Sequence, residues 1–75
     1  MNSFEKIRNI TAQFFKVPMD EITAQTNADH IDSWDSFTHM ELMTQIESAF
    51  NLNLPLRVMM DSKDLGDIAK YIDQQ

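Results

Sequence analysis

The chain has 75 residues, which is enough for one domain, residues 1–75, with a single modest hydrophobic core. It contains no cysteine, which excludes disulfides and thiolate metal sites, and no apolar run approaches the roughly 20 residues that span a bilayer. The N-terminus lacks the basic start and apolar stretch of a secretion signal, so we expect a cytoplasmic protein without membrane insertion, and a monomer.

The formal charge is −6, and the acids are unevenly distributed. No lysine or arginine lies between Lys16 and Arg57, a stretch that holds seven acids: Asp20, Glu21, Asp29, Asp32, Asp35, Glu41 and Glu47. Solubility alone explains an acidic surface, and the sharper interpretation is attraction of basic partner proteins. Nucleic acid is disfavoured as a partner because phosphate binding needs the opposite sign.

Apolar residues at steps of three and four predict a first helix from Ser3 to about Lys16, with Ser3 as its N-cap. Val17-Pro18 closes this helix. The following segment, Pro18 to Trp34, is polar and irregular, and its Asp20-Glu21-Ile22 run predicts a single helical turn. Its expected anchors into the core are Ile22, Ile31 and Trp34.

A second long helix is predicted from Ser36 to Phe50, with Glu41, Gln45 and Ser48 facing water. Its broad apolar stripe consists of Phe37, Met40, Leu42, Met43, Ile46, Ala49 and Phe50. Leu56 to Met60 predicts a short buried turn or helix. The last helix should begin near Ser62 or Lys63, with Gly66 weakening it by about 1 kcal/mol relative to alanine. The predicted fold is all-α, a bundle of three main helices plus a short one before the last.

Ser36 stands at the predicted start of the central helix and has two interpretations. Serine is favoured at N-caps because its hydroxyl accepts a backbone N–H, so capping alone explains its position. The dipole and free N–H groups of a helix start also favour a nearby phosphate, and a phosphodiester on Ser36 would project into solvent there. Position alone leaves both interpretations open.

The run from Asp35 to Glu47, Asp-Ser-Phe-Thr-His-Met-Glu-Leu-Met-Thr-Gln-Ile-Glu, resembles the attachment motif of acyl carrier proteins. In that family an Asp-Ser pair precedes a large apolar residue, here Phe37, and a Glu-Leu pair follows five residues after the serine, here Glu41-Leu42. The preceding Ile-Asp-Ser-Trp, residues 31–34, is similar to the tryptophan-containing version of specialised carriers. The resemblance covers nearly the whole chain, including the long loop and the positions of Phe50 and Pro55.

The resemblance implies that a phosphopantetheinyl transferase joins 4'-phosphopantetheine from coenzyme A to Ser36, flanked by Asp35 and Phe37. The terminal thiol of that arm would hold an acyl group as a thioester, and the chain itself would not be an enzyme. The second helix would be the surface that acyl-activating, acyl-transferring or synthase enzymes meet through basic docking surfaces. The residues implied in partner binding are Asp35, Phe37, Met40, Glu41 and Glu47.

Departures from the family pattern favour a dedicated pathway over bulk fatty acid synthesis. Phe37 stands where leucine is usual, and Thr38 stands where aspartate or glycine often follows. The segment Leu56–Met60 is apolar with one base, where such carriers are commonly acidic. A specialised lipid, polyketide or modified-saccharide pathway is therefore expected. An aminoacyl or peptidyl carrier is the alternative within the same chemistry.

Three other interpretations compete with the carrier. Ser36 and His39 with an acid could form a hydrolytic triad, but so small a chain leaves little material for a substrate cleft, so His39 is expected to face solvent. His30 with Asp29 and Asp32 fits no familiar metal site. A protein-interaction bundle with Ser36 only as a cap is the remaining alternative, although the methionines Met40, Met43, Met59 and Met60 are more simply core.

Overall fold

The computed structural model describes residues 3–75, which fold into four α-helices and two short 3₁₀ turns. The helices are α1 (Ser3–Phe15), α2 (Ser36–Phe50), α3 (Leu56–Asp61) and α4 (Leu65–Asp73), and the turns are Met19–Glu21 and Ala28–His30. The predicted all-α bundle of three main helices and one short helix is confirmed, and the bounds of α2 agree with the prediction. Among residues 3–75, no helix is both long and apolar enough to cross a membrane.

The first helix ends because Lys16 adopts a left-handed backbone with φ of 59°. The N–H of Val17 then turns back to the carbonyl of Ala12 at 3.0 Å, which supplies a donor for one of the last free carbonyls of the helix. At the other end the N-cap prediction for Ser3 is wrong. Ser3 is the first residue of α1, and its N–H and hydroxyl both donate to the Asp73 carboxylate beside the end of α4.

The core lies between α1, α2 and α4. Leu42, Met43 and Ile46 from α2 are completely buried, and they meet Ile7 from α1 and Ile68 from α4 in one cluster. Burying a side chain of this size stabilises the fold by roughly 1.5–3 kcal/mol relative to leaving it in water. The apolar stripe of α2 therefore holds the helix that carries Ser36 firmly in the bundle.

The loop between α1 and α2 is tied to the start of α4. The N–H groups of Leu65 and Gly66 donate to the carbonyls of Thr26 and Ala24 at 3.1 and 2.8 Å. The Asp64 carboxylate caps α4 by accepting the N–H of Asp67. The predicted start of α4 at Ser62 or Lys63 is therefore wrong, because the helical backbone begins only after this cap.

The anchors predicted for the loop are confirmed for Ile22 and Trp34, which are 2% and 7% exposed, while Ile31 is half-buried. The first 3₁₀ turn matches the predicted helical turn within one residue. The second was not predicted, and it is held by Asn27, whose side chain accepts the N–H of Asp29. With these anchors the loop is a packed segment that delivers the chain to the start of α2.

Candidate functional site

Asp35, and not Ser36, caps the central helix. Its Oδ1 accepts the N–H groups of Phe37 and Thr38 at 3.0 and 2.9 Å, and its own N–H donates to the Thr38 hydroxyl at 2.8 Å. This reciprocal arrangement satisfies the free donors of the first turn. The interpretation of Ser36 as only a cap is therefore wrong.

The same hydrogen bonds act on the charge of Asp35. The backbone N–H of Thr38 contributes most, and together with the Thr38 hydroxyl and the Phe37 N–H it lowers the pKa of Asp35 below its ordinary value. Burial acts in the opposite direction and does not outweigh them. Asp35 is thus held as a carboxylate beside Ser36.

Ser36 is the first residue of α2, and it is exposed. No hydrogen-bond partner of its hydroxyl is found in the part of the chain that the structure describes, so the oxygen is available for modification. One part of the sequence argument is wrong, because the N–H groups of Phe37 and Thr38 are not free for a phosphate. Both N–H groups already donate to the Asp35 carboxylate, whereas the N–H of Ser36 does not.

His39 bridges the loop and α3, and the prediction that it faces solvent is wrong. Its side chain is half-buried; Nδ1 lies 3.0 Å from the indole Nε1 of Trp34, and Nε2 lies 2.7 Å from the carbonyl oxygen of Met59. The Trp34 ring in turn stacks on Phe15 with ring centroids 5.0 Å apart. His39 on α2 thus bonds to the loop and to α3, and through Trp34 it is also connected to α1.

The chemistry of the two partners determines the form of His39. An indole N–H can only donate, so Nδ1 must accept, and a carbonyl can only accept, so Nε2 must carry the proton. Both ring nitrogens are therefore hydrogen-bonded to Trp34 and Met59 and not to Ser36. The hydrolytic triad of Ser36, His39 and an acid is wrong for this reason.

A groove of about 660 Å³ opens beside Ser36, within the size range of small-molecule sites. Asp35, Ser36 and His39 lie along it from the start of α2, and Lys63 and Asp64 line it from the segment before α4. Its apolar wall consists of Trp34, Met40, Met43, Met60, Leu65 and Ile68. A group attached to Ser36 thus stands next to an apolar surface.

Several large apolar side chains near this groove remain in contact with water. Phe37 is 72% exposed and Met60 is 62% exposed, whereas Met40 is 37% exposed. The prediction that the four methionines are core is right for Met43, which is fully buried, and partly right for half-buried Met59, but wrong for Met40 and Met60. Exposed apolar side chains beside a groove are typical of a surface that meets a partner.

The two acids predicted on the far part of α2 differ in their surroundings. Glu41 is exposed, whereas Glu47 is half-buried and accepts the N–H of Leu54 at 2.7 Å. Glu47 also lies eleven positions after Ser36 in the helix, about 16 Å along the axis. The structure therefore groups Asp35, Phe37 and Met40 around Ser36, while Glu47 lies apart and braces the chain after α2.

His30 helps to shape the loop. Its Nδ1 accepts the N–H of Asn27 at 3.1 Å, which completes the capping of the second 3₁₀ turn. Within residues 3–75, no three histidine or acidic side chains come together in a way that could hold a metal ion. His30 therefore pins this part of the loop.

Comparison with known proteins agrees with the geometry of this site. A family model described as a phosphopantetheine attachment site matches residues 5–72. An acyl carrier protein of Lactobacillus acidophilus is 33% identical over 69 residues, which cover 92% of this chain and 86% of the relative. The chain belongs to the acyl carrier protein family. This acyl carrier protein is a carrier and not an enzyme, and 4'-phosphopantetheine is its covalently attached cofactor.

The residues around Ser36 fit such a prosthetic group. The Ser36 oxygen is exposed, and the adjoining groove offers polar side chains at its rim and an apolar wall inside. Membership of the family also implies interaction with a phosphopantetheinyl transferase and with acyl-handling enzymes. Asp35 and Phe37 lie on either side of Ser36 in the chain, in reach of any enzyme that acts on its hydroxyl.

The bridging role of His39 is the feature of this site that sequence reasoning missed. A usable signal was present, because residues 39, 42, 43 and 46 follow the i, i+3, i+4, i+7 spacing of one helix face. The last three are fully buried, so the first should have been expected at the edge of the core. Its partners Trp34 and Met59 could not have been read from spacing.

Proposed function

We propose that this acyl carrier protein holds acyl intermediates as thioesters on 4'-phosphopantetheine attached to Ser36 and delivers them to partner enzymes. The pathway proposed is a specialised one that makes a lipid, a polyketide or a modified saccharide. The observation that carries the proposal is the exposed Ser36 hydroxyl, which does not cap the helix and stands at an apolar groove. When bound, the prosthetic group supplies the thiol that this cysteine-free chain lacks.

The partner surface proposed is the exposed part of α2 near Ser36. Phe37 and Met40 offer apolar contacts, while Asp35 and Glu41 offer negative charge to a basic docking surface. Charge complementarity raises the rate of encounter more than the lifetime of the complex, which suits a carrier that must leave each enzyme. Glu47 is proposed to contribute only at the edge of this surface. One of its carboxylate oxygens already accepts the N–H of Leu54, which leaves the other oxygen for a partner.

An aminoacyl or peptidyl carrier uses the same attachment and is the second candidate. The apolar groove favours an acyl chain, because Met40 and Met60 present exposed apolar surface along it to an alkyl group. An α-ammonium group gains nothing from that wall. If the groove holds the cargo, an acylated form should melt at a higher temperature than an aminoacylated form.

Intact-mass analysis tests the attachment site. The protein is co-expressed with a promiscuous phosphopantetheinyl transferase, and wild type should gain the mass of one phosphopantetheinyl group. Ser36→Ala should gain none. Ser33→Ala is the matched control, since Ser33 is also exposed and lies three residues earlier. An unmodified wild type, or modification that persists in Ser36→Ala, would refute the proposal.

A further inference from the structure

His39 joins the residues before Ser36 to α3 through hydrogen bonds at both ring nitrogens. The Trp34 indole is 7% exposed and its N–H has no other recorded acceptor in the described chain. Met59 lies near the end of α3, and its carbonyl accepts the Nε2 proton of His39. The bridge therefore connects Trp34, which lines the same groove as Ser36, to α3.

Protonation affects the two ends of this bridge differently. An imidazolium carries protons on both nitrogens, so Nδ1 can no longer accept from Trp34. The Nε2–H continues to donate to the Met59 carbonyl. A buried donor without an acceptor is unfavourable, and the indole is then held only by its packing in the core, which includes the stacking on Phe15. The hydrogen bond that is lost belongs to the segment that runs directly into Asp35 and Ser36.

We propose that neutral His39 is a positioning residue that holds the Trp34 indole and thereby the start of α2, and that its protonation breaks this indole hydrogen bond while leaving α3 attached. The consequence for the prosthetic group rests on the proposed function, because it concerns the segment that carries Ser36. Histidine is the side chain whose charge changes between about pH 5 and 8. We therefore expect mild acidification to weaken the hydrogen bond between Trp34 and His39.

The charged residues that share the groove with His39 come from two segments. Asp29 and Asp35 line it from the loop, and Lys63 and Asp64 line it from the segment before α4, while the lining residues of α2 and α3 include no other charged side chain. None of these four side chains takes part in either hydrogen bond of His39, so Asp29→Asn and Asp64→Asn change the charge around the groove without removing either bond.

Nitrogen-15 NMR of the whole unmodified chain tests the bridge, because the protein has a single tryptophan. Two-bond couplings of the imidazole should place the proton on Nε2 of His39 at about pH 7.5. The protection factor of the Trp34 indole N–H against exchange, taken relative to a free indole at the same pH, should fall about tenfold on acidification to about pH 5.5. That ratio matches the loss of one ordinary hydrogen bond.

Three variants separate positioning from packing. His39→Asn retains an acceptor near Nδ1 that does not titrate, so the protection factor should stay high at both pH values. His39→Gln retains a donor toward Met59 and should show low protection at both. His30→Gln is the control for the other histidine and should keep the pH dependence of wild type.

A proton on Nδ1, or a pH dependence in His39→Asn equal to that of wild type, would overturn the inference. The tautomer measurement needs no variant, so it decides even if a variant fails to fold. These measurements use the unmodified protein, whereas the proposed function stands or falls on the mass of the co-expressed protein. The two failures are therefore distinguishable.

Discussion

The amide nitrogen of Gly66 lies 2.8 Å from the carbonyl oxygen of Ala24, where the loop before α2 is tied to the first turn of α4. A Cβ atom at position 66 would come within 2.9 Å of that oxygen and 3.2 Å of the Ala24 side chain. The sequence predicts that Gly66 only weakens the helix, but the contact shows that this position needs glycine. Propensity and packing here act in opposite directions.

Gly66→Ala is expected to destabilise the protein by about 1–3 kcal/mol, the usual cost of overpacking, despite the better helix propensity of alanine. Either the loop carbonyl must move or the hydrogen bond must lengthen. Urea unfolding of the two proteins measures the difference. Ser48→Ala, an exposed site on α2, is the control and should change stability by less than about 0.5 kcal/mol. A Gly66→Ala variant more stable than wild type would contradict the packing argument.

Asp35 should make part of the stability depend on acid. Its folded-state pKa is lowered, so the contribution of its carboxylate is fully present above the unfolded-state pKa and is lost as pH falls through the folded-state pKa. Asp35→Asn keeps a capping oxygen but removes the titration. Between about pH 4 and pH 2, where an unfolded aspartate takes up its proton, this variant should lose less stability than wild type.

Urea midpoints at several pH values test the role of Asp35. Asp35→Ala should be less stable than Asp35→Asn at neutral pH, because alanine leaves the N–H groups of Phe37 and Thr38 without their acceptor. Identical acid profiles for wild type and Asp35→Asn would show that the carboxylate charge does not contribute.

Glu47 allows stability and partner binding to be separated. Glu47→Gln keeps an oxygen for the buried Leu54 N–H, whereas Glu47→Ala removes it and should cost about 1–2 kcal/mol. Thermal or urea unfolding measures this cost. If Glu47 also meets basic partners, Glu47→Gln should slow modification by the transferase at low salt while unfolding as wild type does. Equal stability of Glu47→Ala and wild type would remove the bracing role.

Phe37 should matter for partners and not for folding. It is 72% exposed, so Phe37→Ala should change the free energy of unfolding by less than about 0.5 kcal/mol. The rate of the modification proposed at Ser36 should fall, because an apolar contact next to the Ser36 oxygen is lost. Gln45→Ala is a matched exposed site farther along α2, and its modification rate should match that of wild type. A large loss of stability in Phe37→Ala would place Phe37 in the core instead.

Sequence patterns located the helices well where two signals agreed. For α2, an Asp-Ser start and a wide apolar stripe predict the element, and its bounds match. For α4 the apolar spacing alone predicts a start before Asp64, whereas the Asp64 side chain caps the helix and its first residue is Leu65. The second 3₁₀ turn escaped prediction because it depends on the Asn27 and His30 side chains closing on each other.

The linear order of residues was enough to predict an all-α carrier, its family and the position of Ser36, because helix periodicity and a short motif are local properties of a chain. The folded arrangement alone decided that Asp35 caps α2, that His39 bridges Trp34 and Met59, that Met40 and Met60 stay in contact with water, and that position 66 needs glycine. Each of these depends on which distant segment lies against which side chain. Helix spacing tells which residues share a face, but only packing determines what covers that face.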